Sequence, residues 1–317
     1  MPLPADEWVM SPRPSTFSIV ARDPDREAVG VAVQSKFVSV GSVVPFAAAD
    51  AGAIATQSYA NVAYGPDGLE LLREGHAAAA VLEQLTEPDP EAPQRQVGVV
   101  GQDGSVAAFT GEDCLDHASD RQGEHYTVQG NILENRATVD AMADAFEETT
   151  GGLPERLIAA LYAGNEAGGD SRGEQSAALY VVKPEGGYDG GNDRWIDVRV
   201  DDHESPIEEL ERVFRVYDVT LLERAEPEDV QELSGAAAEA VLEILAAADL
   251  YDGSPQESFG ATEREALEDF RGRNNFENHD LPVLEDAIAR GWDTADGEGE
   301  ERLVNAIWHG LSRLERT

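Results

Sequence analysis

The order in which hydrophobic periodicity changes along the chain is the tightest constraint on its fold. From Thr16 the residues alternate: "TFSIVAR", the turn "DPDREAVG" and then "VGVAVQSKF" read as two strands joined in an antiparallel hairpin. Further strands are expected in "SVVPFA", "GAIATQSY", "RQVGVV", "SVAAFTG" and "HYTVQGNIL". Spacing of three and four predicts helices in "GPDGLELLREG" and "HAAAAVLEQLTE", and again in "ATVDAMADAFEETTGG" and "LPERLIAALYAGNEAGG", the last two ended by glycines. A second strand pair, "SAALYVVKP" and "RWIDVRVDD", precedes the long helix "SPIEELERVFRVYDVTLLER". Strands, two helices, strands, two helices, strands and a helix do not make a repeating parallel βαβ unit. The order suits an α+β fold of antiparallel sheets with helices outside them, and two stacked sheets between helical layers is one solution.

Beyond "AEPEDV" the periodicity is helical only, through "VQELSGAAAEAVLEILAAADL", "TEREALEDFRGR", "DLPVLEDAIARG" and "EERLVNAIWHGLSRL". Three parts are expected: an N-terminal extension over 1–15, a sheet-containing domain over 16–224, and a small all-α domain over 225–317. The extension holds Pro2, Pro4, Pro12 and Pro14 and no periodicity. Met10 offers a second start.

Charge narrows the function classes. Sixty-three acidic residues against 23 basic ones give a formal charge of -40, and only Lys36 and Lys183 are lysines. Such a surface repels nucleic acid and anionic lipid, so neither is expected as a partner. The near-absence of lysine points to adaptation to a salt-rich cytoplasm, where molar salt screens self-repulsion within about 3 Å. No apolar run approaches the roughly 20 residues of a membrane span. One cysteine, Cys114, cannot form an intramolecular disulfide and fits a reducing compartment, so a cytoplasmic location is expected.

Thr16 is the first candidate for chemistry. A threonine hydroxyl needs a base, and a free α-amine on the same residue, with an ordinary pKa of about 7.7 to 8.0, can supply it. Strand-initial threonines usually do nothing, so the surrounding set carries the argument. Lys36 lies near the end of the paired strand, where an ammonium beside the hydroxyl would favour alkoxide and keep the amine neutral; a solvated surface lysine is the plain alternative. "GGDSRGEQSAALYVV" gathers Asp170, Ser171, Gln175 and Ser176 at the approach to a strand. Gln129 and Asn131 bracket Gly130 in "YTVQGNIL", and Gln57, Ser58 and Asn61 follow a strand end. Such amides either build an oxyanion site or satisfy turns. Cys114, Asp116, His117 and His125 fall close together but fit no zinc spacing, so no metal and no cofactor is expected.

The blocks "TFSIVARDP", "GVAVQSKFVSVGSVVPFA", "GAIATQSYANVAYGPDGLELL", "QVGVV", "AAFTGEDC", "YTVQGNIL" and "GGDSRGEQSAALYVV", in that order, resemble the DUF1028 family from about residue 16 to 224. The family is assigned to the N-terminal-nucleophile hydrolase superfamily. The resemblance implies a four-layer αββα sandwich related to proteasome subunits, with Thr16 as the nucleophile of an amide hydrolase. It implies helper roles for Ser35 and Lys36 on the second strand, and likens Asp170 and Ser176 to the Asp and Ser that flank the last strands of proteasome-type sites. Gln57, Asn61, Gln129, Asn131 and Gln175, together with Ser35, are the candidates for substrate or oxyanion contacts. Family members commonly begin Met-Thr, whereas Thr16 is internal here, so activity requires cleavage at Ser15–Thr16 or another start. The helical tail, with "ALEDFRGRNNFENHDL", is similar to a peptidoglycan-binding module often appended to the family; nothing in the segment shows a carbohydrate surface, and packing against the sandwich or another subunit is expected instead.

Two functions follow as expectations: hydrolysis of a small amide or amidine-like metabolite, or a non-catalytic binding or assembly role that keeps the sandwich without processing. A small molecule and a homo-oligomer are the partners considered. The charge reading has a direct test. Circular dichroism should show loss of secondary structure when salt is diluted to low millimolar, and full stability there would remove the salt-adaptation reading.

Overall fold

The computed structural model describes residues 16–316; the expectations placed on residues 1–15 lie outside them. The first strands are β1 (Thr16–Asp23) and β2 (Ala28–Ser35), then β3 (Pro45–Ala48) and β4 (Gly52–Ser58). Helices α1 (Tyr64–Arg73) and α2 (Ala78–Thr86) lead to β5 (Arg95–Gly101), β6 (Val106–Thr110), β7 (Ser119–Gly123) and β8 (Tyr126–Asn131). A second helix pair, α3 (Ala137–Glu148) and α4 (Leu153–Glu166), precedes β9 (Ser176–Val182) and β10 (Arg194–Val200).

The strands form a six-stranded sheet ordered β10-β9-β2-β1-β8-β7 and a four-stranded sheet ordered β3-β4-β5-β6, with antiparallel pairing throughout. Helices α3 and α4 cover the outer face of the larger sheet, where Met142, Phe146, Leu157 and Leu161 are buried over β1 and β8. Helices α1 and α2 cover the outer face of the smaller sheet, and Leu69, Leu72, Val81 and Leu85 pack on Ile54, Val97 and Val99. The two inner faces meet through Val20, Val31 and Val33 against Ala53, Ala55 and Val100. The α+β sandwich expected from element order is therefore present as four layers, helices–sheet–sheet–helices.

Period-two alternation divides the inter-sheet space in a way that matters for the site. Inward positions of β1 run Thr16, Ser18, Val20, and those of β2 run from Val29, Val31 and Val33 to Ser35. One end of the interior is thus valine and alanine, and the other is hydroxyl and amide. Strands β1 and β2 are buried on both faces, as expected for central strands. Gly30 permits their close stacking beside β9, since a Cβ there would lie 2.5 Å from the Tyr180 carbonyl oxygen.

The polar segment "SDRQG" was absent from the expected strands, yet it forms β7 at the edge of the larger sheet, half-buried and paired only with β8. Helix α5 (Pro206–Leu221) follows β10. The chain divides into two compact units at Val213/Phe214, inside α5 and ahead of the expected boundary at 224.

The second unit contains α6 (Gly235–Ala247), α7 (Ala261–Arg273), α8 (Leu281–Gly291) and α9 (Glu300–Leu311) around Leu242, Leu245, Leu267, Phe270, Leu284, Ile288, Leu303 and Ile307. Gly291 and Gly310 let α8 and α9 cross closely: a Cβ on either would strike backbone carbonyl oxygen of the other helix. His279 is buried here, with Nε2 2.8 Å from the Val219 carbonyl oxygen. Burial pushes its pKa down, and this outweighs the opposing bond to Val219. The folded unit therefore binds fewer protons than the unfolded chain just below the ordinary histidine value of about 6.5, and stability from this group falls as pH drops through that value. Denaturant unfolding of the full chain at pH 7.5 and 5.5 should show a larger acid-side loss for the unmodified protein than for His279→Gln; equal losses would contradict this assignment.

Candidate functional site

Thr16 begins β1, and the sheet register places it in one row with polar residues from three neighbouring strands: Ser176 of β9, Ser35 of β2 and Asn131 of β8. All four are buried, and Thr16 retains 2% exposure. Thr16 Oγ1 lies 3.0 Å from Ser35 Oγ, a hydroxyl pair in which either oxygen can donate. Above them is a cavity of about 240 Å³ lined by Thr16, Phe37, Val40, Val43, Val44 and the β4-end residues Gln57, Ser58, Tyr59 and Ala60, with Arg95. The Thr16 hydroxyl thus lies at a concave site in the described residues, where β1, the β2–β3 connection and the end of β4 meet.

Beneath this row the amides of both sheets form a continuous network. Gln57 Nε2 donates to the Thr16 carbonyl at 3.3 Å, to Gln96 Oε1 at 2.9 Å and to the Gln129 carbonyl at 3.3 Å. Its Oε1 accepts from Ser18 Oγ at 2.6 Å, and Ser18 Oγ accepts from Gln129 Nε2 at 2.6 Å. Asn131 Nδ2 donates to Gln96 Oε1 at 3.0 Å and to the Thr16 carbonyl at 3.4 Å. Gln96 Nε2 continues the chain to the Gly130 carbonyl at 2.9 Å and Thr110 Oγ1 at 3.0 Å, and Thr110 Oγ1 donates to Asp120 at 2.6 Å. Polar groups buried this deeply are tolerable because they satisfy one another across the sheet interface.

These bonds reassign several sequence candidates. Gln57, Gln129 and Asn131 are at the site, but the amide hydrogens of Gln57 and Asn131 go to carbonyl and amide oxygens beside Thr16, and those of Gln129 go to Ser18. They hold the sheets and the Thr16 backbone in place; their amide hydrogens are not presented to an oxyanion in the cavity. Lys36 lies one residue beyond the Thr16–Ser35 pair and is exposed, with Nζ donating to the Glu174 carbonyl at 2.8 Å. Its ammonium is bonded to the loop that precedes β9. The Asp170 carboxylate is buried and accepts from the Lys36 backbone N–H at 2.8 Å and from Arg172 at 2.8, 3.1 and 3.2 Å. It ties the end of β2 to the loop before β9. Ser176 donates to the Phe37 carbonyl and accepts from the Val40 N–H at 3.1 Å, which fixes the loop that walls the cavity. Gln175 bonds Asp202 at 3.0 Å, and Asn61 Oδ1 accepts from the Ala63 N–H at 3.2 Å at the start of α1; neither lines the cavity.

Three of the ten non-glycine residues with positive φ among the described residues lie on the elements that build the site. Ser39 (φ 55°), Ser58 (φ 66°) and Ile132 (φ 50°) all adopt left-handed conformations, in the β2–β3 connection, at the end of β4 and just after Asn131. For a β-branched residue such as Ile132 this is a true outlier, and such strain costs on the order of 1–3 kcal/mol per residue. Ser18, Gln96 and Arg95 are site residues absent from the candidates expected from sequence, whereas Ser58, expected beside Gln57, lines the cavity. Ser18 and Gln96 carried a signal, since both are polar at inward positions of otherwise apolar strands.

Arg95 stands on the cavity wall with its charge matched: Nε donates to Asp89 at 3.0 Å, Nη2 to Glu91 at 2.6 Å, and Nη1 to the Tyr59 carbonyl. A hydrogen bond from the Tyr64 hydroxyl, helped by Arg95, holds the Asp89 carboxyl down at about 2. Cys114 Sγ lies 3.3 Å from the Arg95 carbonyl oxygen, beside Ser58, and burial pushes its thiol pKa up, away from the reactive thiolate. Among the described residues no three His, Cys, Asp or Glu side chains converge as a metal site. None of the described helices is long and apolar enough to cross a membrane.

Comparison with known proteins gives three findings. A family model described as a family of unknown function, DUF1028, matches residues 16–210, and a model described as a putative peptidoglycan binding domain matches residues 220–308. The crystal structure of protein SPO2555 from Silicibacter pomeroyi, assigned to the same first family, superposes with a TM-score of 0.59 at 30% identity, covering 64% of this chain and 86% of that one. No curated protein matches significantly.

The network predicts opposite effects for two buried glutamines. Gln57→Leu orphans the Ser18 donor and should cost about 1–3 kcal/mol in urea unfolding. Gln34 faces the helical layer, fully buried, and among the described residues its side-chain amide has no hydrogen-bond partner. Gln34→Leu should therefore be neutral or stabilising, and a loss matching that of Gln57→Leu would contradict the distinction.

Proposed function

We propose that this chain, which belongs to the DUF1028 family, is an amide hydrolase that uses Thr16 as an N-terminal nucleophile once the bond before it is cleaved. The observation that carries the reading is the Thr16 hydroxyl, 3.0 Å from Ser35 Oγ, at a cavity at the head of a four-layer sandwich. Cleavage at Ser15–Thr16 would give Thr16 a free α-amine on the same residue as its hydroxyl. That amine takes the hydroxyl proton as Oγ1 bonds to the substrate carbonyl carbon, and Ser35 orients the hydroxyl.

The carbonyl oxygen then carries negative charge and needs a donor. Among the described residues the Ala60 N–H, on the cavity wall, makes no hydrogen bond, and it is the group we assign to this role in place of Asn131. Collapse returns the proton from the α-ammonium to the leaving amine and leaves an acyl ester on Thr16. Water, deprotonated by the same amine, attacks the ester carbonyl and frees the acid and the hydroxyl. Lys36 and Asp170 serve here as positioning residues, holding the end of β2 beside Thr16. A salt-rich cytoplasm is the proposed setting, supported by the charge of -40 and the single unpaired thiol.

Intact-mass spectrometry of a hydrolytically active preparation, assayed in molar potassium chloride on simple anilides, should find a species beginning at Thr16. Thr16→Ala should reduce hydrolysis to background while leaving the circular dichroism spectrum unchanged. Activity in a preparation that is uniformly full length would exclude the α-amine mechanism, and a folded, uniformly full-length chain without hydrolysis would favour the non-catalytic reading.

A further inference from the structure

The cavity wall also constrains what the site accepts. Phe37, Val40, Val43, Val44 and Ala60 present hydrocarbon to the space over Thr16. Of the polar lining residues, Gln57 is turned into the sheet interface, Ser58 lies beside Cys114, and Arg95 is the one that carries a charge. Its guanidinium is matched by Asp89 and Glu91 and anchored to the Tyr59 carbonyl. A ligand carboxylate would meet two fixed carboxylates behind one cation, while a ligand ammonium would meet no unpaired carboxylate on the wall.

The mouth repeats this pattern. Val38 and Val62, 52% and 47% exposed, lie in the same two loops that wall the cavity, and Tyr59, 39% exposed, lies on the wall itself. Large apolar side chains exposed in the connections that supply the cavity wall, on a chain with 63 acidic residues, mark segments where apolar surface is used. At about 240 Å³ the space is smaller than the roughly 300–1,000 Å³ of sites for drug-sized ligands, so it suits one small group.

We propose that the site takes amides whose acyl part is a short neutral hydrocarbon chain and rejects acyl chains that end in a charge. This rests on the hydrolase reading for the chemistry, but binding can be measured without turnover.

The test titrates acetamide, butanamide, hexanamide and succinamate into the Thr16→Ala full chain by calorimetry in molar potassium chloride, and follows hydrolysis of the matching anilides by the unmodified chain. Affinity should rise about fourfold for each added methylene, and succinamate should bind at least tenfold more weakly than butanamide. Affinity that is flat with chain length, equal binding of succinamate, or no binding of any amide by folded protein would overturn the proposal. Val43→Arg, at a half-buried wall position, should reverse the preference toward succinamate, and an unchanged preference would place the acyl chain elsewhere. Chain-length-dependent binding without hydrolysis by the unmodified chain would leave this inference standing and remove the hydrolase reading.

Discussion

The side-chain amide of Gln57 joins the two sheets at the end where Thr16 begins β1. One group reaches from β4 to the Thr16 carbonyl, the Gln129 carbonyl, Gln96 and Ser18. Without it the Ser18 hydroxyl donor would be left unmatched, while Gln96 would still join Asn131 and the Gly130 carbonyl across the sheets. Burial of an unmatched polar group costs about 1–3 kcal/mol, so the network is a condition for closing the sandwich here. Its consequence is that the Thr16 backbone is clamped from below while its hydroxyl remains beside Ser35 at the cavity.

The division of the interior explains where the site can be. Valines and alanines at the far end supply non-directional burial, and the polar end supplies directional bonds that define positions to within a hydrogen-bond length. Strained residues Ser39, Ser58 and Ile132 occur only at element ends around that polar end or in turns, where neighbouring bonds can hold them. Ser176 and Asp170 extend the same logic outward, by fixing the β2–β3 connection and the end of β2 through backbone groups. These residues act on the site through the loops they hold.

Much of this was legible before the structure. The "DPDR" turn between two alternating runs set the β1–β2 hairpin, and with it the neighbourhood of Thr16 and Ser35. The pairs of helical periodicity between strand groups gave the layer order. The polar edge strand β7 was missed because "SDRQG" has no apolar face; it is held by backbone pairing to β8, which periodicity does not report. Lys36 was placed on the right strand end, but a long flexible side chain does not disclose its direction, and Nζ goes to Glu174. Gln57 and Asn131 were recognised as buried amides with partners to find. Whether those partners were substrate or sheet depended on Gln96 and Ser18, residues of strands far apart in sequence. The cavity itself was invisible, because its wall combines two loops and a strand end that only the sandwich brings together.

The central claim is that Thr16 bears both a nucleophilic hydroxyl and a free amine at one site. An epoxyketone with a short alkyl side chain reports on both groups, since the hydroxyl adds to the ketone as a hemiketal and the amine opens the epoxide, closing a ring on one residue with no atoms lost. Peptide mass mapping after treatment should place this adduct on the peptide that begins with Thr16. Modification at any other residue, or a Thr16 peptide that still carries Ser15 in hydrolytically active protein, would contradict the account.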